Sequence, residues 1–176
     1  HLGRAPARLP QFERYLRHLQ LYLAGQSVSF DEIDIPVEAA PPLSGLHLHD
    51  APPSSRIGWI ADGLDGGAKG SSKVPVEVAA SGPKVIAMSA LHAERVMFTL
   101  GADVERLAWG IELAKKTRKD AGLDPDAIAF GAYVNLGCHT DIGAARALVR
   151  GGLTTFARFS VMHGKASAPL SSDDRE

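Results

Sequence analysis

Between Val74 and Phe159 the chain alternates short apolar runs with amphipathic stretches, and this alternation constrains the fold more than any other feature. The first run is Val74-Pro75-Val76-Glu77-Val78-Ala79-Ala80; after Ser81-Gly82-Pro83, a helical stretch runs over 84–92. Gly as cap and Pro at the first helical position are the punctuation of a strand-to-helix turn. A second run, 95–100, ends at Gly101, and the spacing predicts a helix over 103–121. Its apolar face is expected to carry Val104, Leu107, Ala108, Ile111 and Ala114, with Gly122 as the stop. Asp124-Pro125-Asp126 makes a turn, a third strand is predicted over 128–136, and a last helix starts near Thr140 or Asp141 and runs towards Phe159. Strands separated by helices cannot pair as hairpins. They pair in parallel through right-handed crossovers. The expected class is α/β, and three such units are a slice of a (β/α)8 barrel, which takes roughly 250 residues when complete.

The first 73 residues read differently. Leu9, Phe12, Leu16, Leu19 and Leu23 fall at three- and four-residue steps, which predicts a helix with Pro10 in its first turn and Gly25 as its stop. From Gln26 to Lys73 the pattern dissolves under Pro36, Pro41, Pro42, Pro52 and Pro53. Val28-Ser29-Phe30 and Ile33-Asp34-Ile35 alternate as a small hairpin would, 63–72 has linker composition, and Trp59 with Ile60 is the expected apolar anchor. The expected organisation is one partial barrel domain over 1–176, with 26–73 an insertion and 74–160 the three β-then-α units.

Composition removes several classes of function. Nineteen basic against twenty acidic residues leave a net charge of −1, so no electrostatic footprint for nucleic acid or anionic lipid exists. One cysteine, Cys138, forbids an internal disulfide framework and suits a reducing cytoplasm. Every apolar run is interrupted by charge or glycine before it reaches the length of a membrane span, and from His1-Leu2-Gly3-Arg4, with no apolar h-region, no signal peptide is expected. The opening without Met and the solvated end 171–176 suggest a piece of something longer. Apolar residues in the first helix and in Phe156, Phe159, Val161 and Met162 are expected to meet other barrel helices or a second subunit, so a homo-oligomer is an expected partner state.

Chemistry is concentrated where the first two strands end. A turn of small residues between strand and helix exposes backbone N–H groups at the positive end of the helix dipole, and small side chains let an anion approach closely. Ala79, Ala80, Ser81, Gly82 and Pro83 form such a turn, with the Ser81 hydroxyl as a further donor. Thr99, Leu100 and Gly101 end the next strand in a similar way. Two adjacent strand ends, each small and carrying a hydroxyl, make one cradle for an elongated phosphorylated cofactor. Either turn taken alone is also simply a good strand-to-helix connection.

These residues resemble the luciferase-like monooxygenase superfamily of flavin- and coenzyme F420-dependent oxidoreductases. The run 74–83 and Ala93-Glu94-Arg95-Val96-Met97-Phe98-Thr99-Leu100-Gly101-Ala102 resemble the fifth strand, its helix and the sixth strand of that barrel. Ala132-Tyr133-Val134-Asn135 resembles the seventh strand, Leu2-Gly3-Arg4-Ala5-Pro6 with Phe12 to Gly25 resembles the helix after the fourth, and 26–73 resembles the family's variable insertion. The resemblance implies hydride transfer or oxygenation of an organic substrate, with F420 the first cofactor expected and FMN the second. It implies cofactor contacts from residues 79–83 and 99–101, at the phosphate end. It assigns no catalytic residue, since strands one to four and eight have no counterpart, and these residues are expected upstream of His1.

The rival reading is a metal-dependent barrel hydrolase using His47 and His49, two imidazoles at strand spacing in a Pro-rich segment; two loop histidines is the plainer account. A third reading is a cofactor-binding remnant without turnover. Cys138 and His139 are neighbours on a strand and point to opposite faces, so Cys138 is expected as a small buried or strand-end residue. Glu77 needs a polar barrel interior or a cation, an ion pair being favoured, and Tyr133 and Asn135 are expected on one strand face. The run 115–119 reads as a solvated helix face.

Overall fold

The computed structural model describes residues 7–33, 52–65 and 73–160, with the side chains of 64–65 and 155–160 left aside. Two compact units result, one of residues 10–74 and one built mainly of the chain from Pro75 onward.

In the first unit, helix α1 spans Leu9–Leu23 and buries Leu16, with Pro10 in its first turn as expected. Gly25 takes φ 73°, the left-handed conformation that ends a helix without a Cβ penalty. Strand β1, Val28–Ser29, pairs antiparallel with β2, Ser54–Ser55, through Val28↔Ser55 and Ser29↔Ser54. The partner of Val28 is therefore not the segment near Ile33. Phe30–Glu32 forms a 3-10 turn instead, because the Ser29 hydroxyl accepts from Asp31 N–H and bends the chain out of the strand. Tyr22 Oη hydrogen-bonds Ser55 Oγ, tying α1 to β2. Helix α2 spans Gly58–Asp65, so the start of the expected linker is helical. Its buried residue is Ala61; of the expected anchor pair, Trp59 is 78% exposed and Ile60 is half-buried.

The second unit carries three parallel strands: β3, Glu77–Ala80; β4, Arg95–Phe98; and β5, Ala129–Ala132. Their order is β3-β4-β5, with Ala80↔Phe98 and Phe98↔Ala132 in register. Helix α3, Pro83–His92, connects the first pair, and α4, Val104–Asp120, connects the second. The two helices pack side by side, so both crossovers cover the same face of the sheet. Sequential strand order with helices on one face is the arrangement of a (β/α)8 barrel segment, and each half of a doubly wound sheet shares it.

The strands are shorter than the sequence predicts. The third ends at Ala132, not at Leu136, and Tyr133 to His139 belong to no regular element. Asn135 leaves the ladder to donate its Nδ2 to the Val149 carbonyl at 3.0 Å, inside helix α5, Ile142–Ser160. Cys138, expected to be buried or at a strand end, is exposed in this irregular stretch. Val78, Ala80, Val96 and Phe98 face the helices and are buried, as strand alternation requires. Phe98 and Phe130 stack at 5.7 Å across neighbouring strands. On the opposite face Glu77 meets Arg95 at 3.3 Å, the ion pair favoured by the sequence.

Helix α4 is rotated from its expected orientation. Its buried residues are Arg106, Gly110 and Ala114, whereas Val104 is 81% exposed and Ala108 is exposed. The cause is a close approach. A Cβ on Gly110 would lie 2.8 Å from Phe98 Cε1 and 3.3 Å from Leu100 Cδ1, so the helix backbone rests directly on the Phe98 ring. Leu107 and Ile111 still pack against the core, from the side of the contact. The basic run on the far face is held by Lys115–Asp126 and Lys116–Asp120 pairs, while Arg118 Nη1 reaches back to the Ala90 carbonyl at 2.8 Å.

Replacing Gly110 by Val drives two branches into the Phe98 ring, and the expected loss in urea unfolding is about 1–3 kcal/mol. Gly151 of α5 faces open space, so Gly151→Ala is expected to gain roughly 1 kcal/mol in the same measurement, as an exposed helical glycine should. The Asp103 carboxylate caps α4 by accepting from Arg106 N–H at 3.0 Å, and Asp103→Ala is expected to cost about 1 kcal/mol.

Candidate functional site

The edge where the three parallel strands end is assembled from backbone outward. Thr99 N–H donates to the Ala80 carbonyl at 3.0 Å, and Tyr133 N–H donates to the Phe98 carbonyl at 2.9 Å. Each strand end is thus tied to the next. Ser81, Thr99 and Tyr133 form the first row beyond the ladder, on strands about 4.8 Å apart. Ser81 and Thr99 are both half-buried, so neither is lost in the core. Tyr133, which the sequence placed on a strand face, is half-exposed at the end of this row.

Behind Ser81 the turn is as small as the sequence suggests. Gly82 is the N-cap of α3 with φ −105° and ψ 154°, Pro83 is at the first helical position, and no side chain caps the helix. A Cβ on Gly82 would meet nothing within 4 Å. The start of α3 therefore has neither a side-chain cap nor a crowded approach at Gly82. Gly101 behaves differently. Its φ of +83° is a left-handed conformation, and a Cβ there would also meet nothing within 4 Å. Glycine is required here for the backbone turn, and the same absence of a side chain leaves the β4–α4 connection approachable.

The structure separates the sequence-derived site residues into three groups. Ser81, Gly82, Pro83, Thr99 and Gly101 come together along the edge. Ala80 and Leu100 are 2% exposed, with side chains in the core, so they meet the edge through backbone alone. Ala79 sits on the sheet face away from the helices, exposed, in register with Met97 and through it with Gly131. Met97 lies over Gly131, whose Cβ would stand 2.7 Å from Met97 Cε.

One residue at this edge was not singled out by the sequence. Arg106 is in the first turn of α4 and only 6% exposed, and among the described residues neither its Nε nor its Nη2 has a hydrogen-bond partner. Its signal in the sequence is faint, since an arginine between Glu105 and Leu107 reads as the solvated side of the helix.

The histidine pair of the rival reading, His47 and His49, lies outside the described residues. His139 Nδ1 accepts from Asp141 N–H at 2.9 Å, and Asp141 in turn caps α5 by accepting from Ala144 N–H at 2.8 Å. Of the terminal apolar cluster, Phe156 and Phe159 belong to α5, and Val161 and Met162 lie outside the described residues.

No helix among the described residues is long and apolar enough to cross a membrane. Comparison with known proteins returns no match among curated proteins or solved structures. A sequence model described as luciferase-like monooxygenase matches residues 4–175, nearly the whole chain. That extent of match, on a chain with parallel β-then-α units, makes this protein a member of the luciferase-like monooxygenase family, a family of oxidoreductases that bind flavin or F420 cofactors.

Proposed function

We propose that this chain works as the cofactor-holding part of an F420-dependent oxidoreductase, with FMN as the second candidate cofactor. The observation that carries the reading is the juxtaposition of two small-residue turns, Ser81-Gly82-Pro83 and Thr99-Leu100-Gly101, on one edge of a parallel sheet. Barrel enzymes work at this edge, where the strands end and the following helices begin.

The residues present fit the phosphate end of such a cofactor. A Cβ at Gly82 or Gly101 would fill space that is open here, so a phosphoryl oxygen can approach the backbone. The uncapped start of α3 offers N–H groups and the positive end of a helix dipole to that anion. Ser81 and Thr99 add hydroxyl groups that donate to phosphoryl oxygens. Once bound, the cofactor supplies the hydride or oxygen chemistry, and the chain's residues hold it in one orientation against an organic substrate.

The same reading places the protein in the cytoplasm, where an exposed thiol such as Cys138 stays reduced. It includes a homo-oligomeric assembly as well, since α5 exposes Ile142, Leu148 and Leu153.

The test is a titration of the protein with F420 and with FMN, followed by cofactor fluorescence, on wild type and Gly82→Asp. A side chain at 82 meets no steric obstacle in the fold, so circular dichroism and Tm are expected to change little. Like charge and bulk in the anion's path are expected to weaken binding roughly tenfold or more. Equal affinity for wild type and Gly82→Asp would show that the cradle lies elsewhere.

A further inference from the structure

A buried guanidinium without partners is an expensive feature, because the charge has lost its water and gained no hydrogen bonds in exchange. Arg106 is in that situation: it is 6% exposed, and Nε and Nη2 are buried with no partner among the described residues. Its backbone N–H is occupied by Asp103, but the guanidinium forms no ion pair with that carboxylate or with any other among the described residues.

Its place in the fold says what it faces. Arg106, Gly110 and Ala114 are spaced by four and form the buried stripe of α4, and Gly110 fixes that stripe against Phe98 and Leu100. Since α4 returns the chain between two parallel strands, it runs antiparallel to β4 and begins at the edge where the strands end. Arg106 stands four residues, about 6 Å, nearer that edge than Gly110. A helical side chain leaves its backbone towards the helix N-terminus. The Cα–Cβ bond of Arg106 is therefore tilted towards the edge that carries Thr99 and Gly101.

We propose that Arg106 is the anion-binding side chain of this edge and takes a phosphoryl group in its planar, forked N–H array. Two donors, Nε and Nη2, lie on one side of a guanidinium at the spacing of two phosphoryl oxygens, the pairing in which arginine excels over lysine. Both are the atoms left without partners. The identity of the ligand as a cofactor rests on the reading above; the anion site itself does not.

Three proteins test it: wild type, Arg106→Met, which keeps the volume and removes the charge, and Arg106→Lys, which keeps the charge and removes the fork. The first measurement is Tm in saturating inorganic phosphate against chloride at equal ionic strength. Wild type is expected to rise by roughly 3 °C in phosphate. Phosphate also stabilises folded proteins generally by exclusion from their surface, so Arg106→Met is expected to be at least as stable as wild type in chloride and to keep only that general rise in phosphate, and Arg106→Lys is expected to show a rise between the two. An unresponsive wild type, or an equal phosphate response in Arg106→Met, overturns the proposal. So does a marked loss of stability of Arg106→Met in chloride, which would make the arginine part of the scaffold.

The second measurement compares FMN with riboflavin, which lacks the phosphate, and adds F420. Arg106→Met is expected to weaken FMN and F420 roughly tenfold to a hundredfold and to leave riboflavin unchanged. Equal weakening of FMN and riboflavin counts against a phosphate contact. If wild type binds neither FMN nor F420 but passes the phosphate test, the anion site stands and the cofactor reading falls.

Discussion

The contact of Gly110 with the Phe98 ring is the constraint on which the second unit depends. A glycine at this point lets the α4 backbone settle onto the sheet at a distance that any side chain would forbid. Phe98 is itself 1% exposed and stacked on Phe130 of the next strand, so the helix rests on a surface already fixed by two strands. Ile86 and Ala90 of α3, both fully buried, complete the same core with Val96 and Leu100. Removing water from these apolar surfaces is worth roughly 25 cal/mol per Å² of area and sets the rotation of each helix about its axis.

That rotation reaches the edge where the parallel strands end. The helix that bears on the sheet through Gly110 must present the residue four positions earlier on the same stripe, and that residue is Arg106. Packing at the centre of the helix thereby carries a charged group into a dry place at its end. The β4–α4 connection adapts to the same geometry: Gly101 takes a left-handed conformation and Asp103 caps the first turn. On the neighbouring connection the chain uses Gly82 and Pro83 and leaves the helix without a side-chain cap. The two turns differ in construction but share an edge, because parallel pairing allows no other placement.

Membership of the luciferase-like monooxygenase family accords with this arrangement. Oxidoreductases of this kind leave the difficult chemistry to a bound cofactor, and the protein's task is to hold a long, charged molecule in one position. The edge where the strands end combines glycines at 82 and 101, hydroxyl groups at Ser81 and Thr99 and a buried guanidinium at Arg106. Asn135, through its bond to the Val149 carbonyl, joins the irregular stretch after β5 to α5, so the third connection at the edge is also anchored.

Much of this was legible in the residues themselves. Alternating apolar runs and amphipathic stretches dictated three parallel strands with helical crossovers, and Pro83, Gly25 and Asp141 marked helix ends where the chain does turn. The small turns at 81–83 and 99–101 pointed to one edge, because strand direction follows from connectivity. Strand length was not legible: beyond Ala132, the third run keeps its apolar alternation, and only the competing bond of Asn135 to α5 shows that the ladder has ended. The partner of Val28 was hidden too, since Ser54–Ser55 has no strand signature and gains its conformation from the pairing itself. Above all, helix periodicity counts apolar side chains, and Gly110 has none. Tertiary packing turned α4 towards its smallest residue, and so decided that Val104 faces solvent while Arg106 is buried. From Pro75 onward, local pattern determined which elements form and in what order; close packing, which depends on the shape of a partner distant in sequence, decided which side chains are buried.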